Sequence, residues 1–180
     1  MPKEWSDKHK YNVTLENLIE NNVIMMKFLL DNSEDEGMGA IKKYYDAKNE
    51  LNFNVRVGKG VKITVKIFNK ISKSKFFDIF VDQLIKNAQY MIPLKSITGI
   101  DYKKDRVIIH VDKCVSKRLF RRGIKRYKVK DQIPNNAFCE FNCIPTFQTF
   151  TKITPFKLSA EFKEKGCAMI IEISNEDDIT

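Results

Sequence analysis

Between Thr14 and Leu30 the apolar residues Leu15, Leu18, Ile19, Val23, Met26, Leu29 and Leu30 recur at steps of three and four. That period places them along one side of a helix, with Asn12 or Thr14 available to cap its first turn. The acidic stretch "DNSEDEGMG" follows, and then Ala40 to Glu50 presents Ile41, Tyr44 and Tyr45 at helical spacing. Together the two segments predict a helical hairpin over residues 1–50. At Leu51 the pattern turns to alternation. In "VRVGKGVKITVKIF", Val55, Val57, Val61, Ile63, Val65 and Ile67 fall on one face while Arg56, Lys62, Thr64 and Lys66 fall on the other. A half-buried strand with a cationic outer face is expected there.

Residues 76–85, "FFDIFVDQLI", offer a second strand after the turn-like "NKISKSK", and "RVIIHV" at 106–111 offers another, entered through "KKD". Asp112 is placed to cap a short helix in which Val115 and Leu119 face inward and which Gly123 ends. Beyond it "IKRYKV" and "AFCEFNCI" read as strands, and "FKLSAEF", "KEKG" and "CAMIIEI" compose a terminal hairpin. The predicted fold class is α+β, an N-terminal helical hairpin followed by an antiparallel β-sheet curled into a small barrel or sandwich. Residues 51–180 form the β-rich domain, with a short basic helix near 112–122.

Composition adds little to this picture. With 180 residues, 43% hydrophobic and 31% charged, the chain can bury one globular core. Its opening, "MPKEWSDKHK", lacks the apolar segment of a signal peptide, and no apolar run reaches the length of a membrane span. A cytoplasmic location without a membrane partner is expected, with Cys114, Cys139, Cys143 and Cys167 as reduced thiols.

Charge is spread unevenly along the chain. The formal net charge is +9, yet residues 51–130 hold 21 Lys or Arg against 5 Asp or Glu, while the segments on either side are acidic. The density peaks in "KCVSKRLFRRGIKRYKVK", residues 113–130, with nine cations and no acid. Self-repulsion of this kind is relieved by a bound polyanion, which also releases counterions from a phosphate backbone. The expected function is a non-enzymatic nucleic-acid-binding module, favouring RNA or single strands. Lys117, Arg118, Arg121, Arg122, Lys125 and Arg126 are the expected phosphate ligands, supplemented by Lys128 and by Arg56, Lys62 and Lys66 of the cationic strand. Arginine forks suit phosphate oxygens, and Phe120 and Tyr127, interleaved with the cations, are expected to stack on bases. The alternative from another class is a structural subunit of a larger assembly, viral or cellular, whose basic middle mates with acidic ends of a protein partner or of its own copies.

Within the same segment Arg122-Gly-Ile-Lys-Arg126 resembles the R-x-x-x-R signature of the PilZ family of cyclic-di-GMP receptors. That family completes its site with D/N-x-S-x-x-G, and the nearest string here is "EISNED", with Glu172, Ser174 and Asp177. It lacks the Asp or Asn and the Gly. The resemblance implies a β-barrel and a cyclic-dinucleotide ligand held by Arg122 and Arg126.

Other chemistries find less support. Cys139 and Cys143 on one strand face would stand about 13 Å apart at about 3.3 Å per residue. One zinc ion needs both thiolates at about 2.3 Å, so no metal is expected, and no cofactor either. His9 and His110 do not complete a ligand set. The loop from Asp31 has oxygens at Ser33 and Asp35, but Glu36 and Lys42 replace the Gly and the bidentate Glu of a calcium loop. "VGKG" has neither the spacing nor the hydroxyl of a phosphate-binding loop, and no nucleophile-elbow or zinc-hydrolase string occurs. Asp101, Asp105 and Glu140 are the carboxylates a nuclease would have to use.

Overall fold

The computed structural model describes residues 6–33, 36–56 and 73–174. Helix α1 spans Asp7–Asn32, and the Ser6 hydroxyl accepts from the His9 N–H at 3.3 Å, so the helix begins ahead of the Asn12 or Thr14 cap expected from the pattern. Helix α2 spans Met38–Arg56. Leu15, Ile19, Val23 and Met26 are buried on α1, as are Ile41 and Tyr45 on α2. The Tyr45 hydroxyl donates to Asn22 Oδ1 at 2.6 Å between them, and the predicted hairpin of helices is present.

The expected strand from Val55 is corrected at its start. Val55 and Arg56 belong to the last turn of α2, and Val55 is 83% exposed. The rest of that segment, Lys62 and Lys66 included, lies outside the described residues, as does the Arg56 side chain.

Residues 76–85 are also helical. Helix α3 runs from Lys73 to Ala88, burying Phe77, Val81, Leu84 and Ala88 at steps of three and four. Asp82 and Lys86, 2.7 Å apart, lie exposed one turn from each other. Four further apolar residues, Phe76, Ile79, Phe80 and Ile85, obscure the helical period, which makes the block look like a short buried strand.

A 3₁₀ turn, Leu94–Ser96, leads into β1 (Ile97–Tyr102) and β2 (Arg106–Val111). Helix α4 (Val115–Arg126) follows. A π-helical turn, Cys139–Cys143, runs into α5 (Ile144–Thr151), and the predicted terminal hairpin is β3 (Phe156–Phe162) with β4 (Cys167–Ile173). The sheet order is β1-β2-β4-β3, antiparallel throughout. Two hairpins are thus joined through β2 and β4, with Val107 opposite Ile171 and Ile109 opposite Met169.

This is α+β with N-terminal helices, but among the described residues the four-stranded sheet is open and closes into neither a barrel nor a sandwich. The physical reason is a shortage of strands. Residues 76–85 and "AFCEFNCI" form helices, and "IKRYKV" is the end of α4 and the turn after it. One face of the sheet supplies Val107, Ile109, Val111, Leu158, Met169 and Ile171 to the core. There the Phe156 ring stands 5.2, 5.1 and 4.9 Å from the rings of Phe76, Phe77 and Phe80. Among the described residues no helix is long and apolar enough to cross a membrane.

Helix α4 does not stop at Gly123. The chain passes through that glycine because α1 lies against it, and a Cβ there would stand 2.8 Å from Val23 Cγ2. The helix ends instead in a Schellman motif, with Val129 N–H bonded to Ile124 O at 3.0 Å and Lys128 N–H to Lys125 O at 3.2 Å. Lys128 takes the left-handed conformation, φ 58°, that glycine usually supplies. Buried Ile124 and Val129 complete the cap.

Candidate functional site

Helix α4 has two faces of unlike chemistry. Leu119, Phe120 and Ile124 are buried, and the Ser116 hydroxyl donates to Met91 O beneath them. Arg118, Arg121 and Lys125, spaced by three and four, project from the other side. Backbone bonds then bring distant segments to that side. Asp112 N–H donates to Ser96 O at 2.8 Å, fixing the 3₁₀ turn, and Cys114 N–H donates to Lys165 O at 2.8 Å, fixing the β3–β4 turn. These two bonds carry Lys95 and Lys165 to the start of α4, beside Lys113.

The result is a groove of about 1130 Å³. Eight of its thirteen lining residues are Lys or Arg, and Asp112 alone is acidic. The Asp112 carboxylate accepts from the Thr98 hydroxyl at 2.8 Å, while Cys114 takes the helix N-cap position expected of Asp112. None of Lys95, Lys113, Arg118, Arg121, Lys125 and Lys165 forms an ion pair with a described residue. Arg121 Nε is shielded from solvent without an acceptor among the described residues. Six cations therefore share one concavity whose described lining includes a single carboxylate, Asp112, in ion-pair contact with none of them, which raises the local positive potential.

The expected ligands of residues 113–130 are not gathered on one surface. Arg118, Arg121 and Lys125 line the groove unpaired. Arg122 lines it as well, but its Nη2 lies 3.1 Å from Glu16 Oε1 of α1. Arg126 turns to α1 altogether, with Nη1 2.8 Å from Glu20 Oε1, and the Tyr127 hydroxyl donates to that same oxygen at 2.8 Å. The bond from Tyr127, and after it the one from Arg126, holds the Glu20 carboxyl below its ordinary pKa, while the bond to Glu20 raises that of Tyr127.

Lys117 and Phe120 point inward. Lys117 is 2% exposed, and its ammonium donates to the carbonyls of Lys163 and of Gly166, the latter at 3.4 Å. It fastens the β3–β4 turn rather than facing a ligand. Phe120 is fully buried, its ring 5.8 Å from that of Phe138, and is unavailable for stacking. Lys128 is exposed away from the groove walls. Two cations of the groove, Lys95 and Lys165, come from outside the basic run, and only tertiary contacts bring them to it.

The PilZ resemblance does not carry over in geometry. Arg122 and Arg126 stand one turn apart on helix α4 facing α1, not ahead of a strand, and each is paired with a glutamate. Glu172 belongs to β4, where its Oε1 is 3.3 Å from Arg106 Nε, and Asp177 lies outside the described residues.

The cysteines stand on different backbone from that expected. Cys139 and Cys143 open and close the π turn, so the strand-based spacing between them does not apply. All four thiols are buried and free. Burial pushes Cys139 and Cys167 up to about 12, and Cys143 and Cys114 upward as well. Among the described residues no group of three or more His, Cys, Asp and Glu is placed to hold a metal ion, so Asp101, Asp105 and Glu140 form no such set. Asp101 instead meets His110, Oδ2 to Nε2 at 2.8 Å, on the sheet face turned from the core. Comparisons with protein-family models, with curated proteins and with solved structures find no match for this chain.

Proposed function

We propose that this groove holds the phosphate backbone of a nucleic acid and that the chain is a non-enzymatic nucleic-acid-binding module. The observation that carries the reading is the unpaired set Lys95, Lys113, Arg118, Arg121, Lys125 and Lys165 around one concavity whose single acid is Asp112. Arg121 supports it further, since a shielded Nε without an acceptor is satisfied by a phosphate oxygen. Phosphate contacts position a strand without reading its sequence, so binding is expected to be tolerant of base identity. With Phe120 in the core and the Tyr127 hydroxyl held by Glu20, stacking no longer argues for single strands over duplexes.

The test is fluorescence anisotropy with labelled single-stranded and duplex RNA and DNA over a salt series. If all six free cations engage, log K against log salt for duplex DNA falls with a slope approaching about −5. Arg118→Glu with Arg121→Glu should make the slope shallower while the melting temperature holds. A flat salt dependence overturns the reading. Salt-sensitive oligomers in light scattering, with no nucleic acid bound, would transfer the groove to an assembly contact with a protein partner.

A further inference from the structure

On another side of the molecule α2 and α5 enclose a second pocket, of about 510 Å³, whose chemistry is opposite to that of the groove. Asp46, Asn49, Glu50 and Phe53 of α2 line it, facing Thr149 of α5 and Lys152 just beyond that helix. We propose that this pocket binds a small organic cation carrying N–H donors, an alkylammonium or a guanidinium.

Asn49 of α2 is 6% exposed. Its Nδ2 donates to Phe141 O at 3.2 Å, a carbonyl of the π turn, where the i→i+4 ladder of an ordinary helix is broken. Next to it Lys48 Nζ donates to Asn142 Oδ1 at 2.8 Å, so two neighbouring α2 residues fix the π turn. With Nδ2 committed there, Asn49 Oδ1 is a buried acceptor that no described residue satisfies, on a residue that lines the pocket. Such an atom is costly unless a donor reaches it.

The surroundings select the charge of that donor. Asp46 and Glu50 stand at i and i+4 on the exposed side of α2, where like charges repel, and neither pairs with a described cation. A cation between them relieves this repulsion, and a shift of the pocket wall that opened Asn49 Oδ1, shielded from solvent as it stands, would present that acceptor to its N–H groups. The apolar wall tolerates positive charge too, since Lys152 Nζ already lies over the Phe53 ring, 5.1 Å from its centroid. The cavity's volume suits a small organic molecule rather than a bare ion. The net charge of +9 disfavours diffuse uptake of cations, which lowers background adsorption.

The experiment is isothermal titration of the full chain with agmatine, which carries both groups, and with putrescine, with acetyl-arginine amide as the arm that mimics an arginine supplied by a polypeptide. Agmatine is expected to bind one site per chain, and Asp46→Asn with Glu50→Gln should weaken it by at least about tenfold at unchanged melting temperature. Lys152→Met, which deletes the one positive charge among the described residues of the wall, should tighten it. The absence of saturable binding up to about 10 mM, or affinity indifferent to all three substitutions, would overturn the proposal. Tighter binding of the blocked arginine than of agmatine would overturn it in favour of a polypeptide side chain.

Discussion

Gly123 of α4 and Val23 of α1 are in contact so close that a single added methyl at 123 would stand 2.8 Å from Val23 Cγ2. Valine is branched at Cβ and has no free rotamer with which to yield. Gly123→Ala should therefore push the two helices apart and cost about 1–3 kcal/mol, read as a lower urea midpoint at unchanged slope. Val23→Ala in the same chain should return part of that loss, which a double-mutant cycle measures. At Gly166 the obstruction is main chain, since a Cβ there would lie 1.8 Å from Val111 O. Gly166→Ala should consequently be the more damaging of the two.

The end of the same helix offers a gain. Lys128 holds φ 58° at the position after the cap, where an L side chain is strained and glycine is not. Its side chain is exposed, so little contact is lost by removing it. Lys128→Gly should stabilise the fold by about 1 kcal/mol and raise the thermal midpoint by about 2–4 °C. A decrease would mean that the Lys128 stem packs in a way the cap geometry does not require.

Gly123 and Lys128 also show how far the residues themselves announce this fold. A glycine after a run of helix formers is the commonest stop signal, and here it serves a helix contact that only the tertiary structure creates. The stop, in turn, sits on a lysine that carries no such signal. Where period is unambiguous, as for α1, β2 and the β3–β4 hairpin, the pattern and the structure agree. Where large apolar residues run together, as in "FFDIFVDQLI", strand and helix cannot be separated by pattern, and α3 is the outcome. The site was legible as a charge density but not as an arrangement. Arg118, Arg121 and Lys125 lie on the groove, Lys117 and Phe120 turn inward on the same short helix, and Lys95 and Lys165 arrive through hydrogen bonds no local pattern encodes.

Glu20 gives the contact between α1 and α4 a direction in pH. Bonds from Tyr127 and Arg126 lower its pKa in the folded state relative to the unfolded one. A depressed carboxylate stabilises the fold above its unfolded pKa, and that contribution is lost as pH falls through the folded value. Acid should therefore loosen this contact, and Glu20→Gln should remove that part of the dependence. Urea midpoints measured from pH about 6 down to about 2 should fall less steeply for Glu20→Gln than for the wild type. Parallel curves would assign the acid sensitivity to other carboxylates.

The thiols should be silent while the chain is folded. With Cys139 and Cys167 pushed up to about 12 by burial, and Cys114 and Cys143 raised as well, almost no thiolate exists at pH 8. Relative to an exposed cysteine the thiolate fraction is smaller by about three orders of magnitude at the two sites near 12. Labelling by a disulfide reagent should then proceed at the rate of unfolding and rise along the urea transition. A thiol modified rapidly in native buffer would place it on the surface, contrary to its burial.

Lys117 separates the role of a cation in the fold from its role at a ligand. Its Nζ holds the carbonyls of Lys163 and Gly166, and Gly166 is itself wedged against Val111, so the ammonium fixes the turn that carries Lys165 to the groove. Lys117→Met keeps the apolar stem and removes the donor, leaving buried carbonyl oxygen unsatisfied at a cost of about 1–3 kcal/mol. The thermal midpoint should fall by about 2–12 °C. If nucleic acid occupies the groove, the salt slope of binding should nevertheless hold close to its wild-type value, because Lys117 faces no phosphate and the Cys114 N–H still holds the Lys165 carbonyl, whereas Arg118→Glu with Arg121→Glu should change the slope and leave the midpoint. The opposite pair of results for Lys117→Met, full stability with a shallower slope, would place its charge on the ligand instead of in the hairpin.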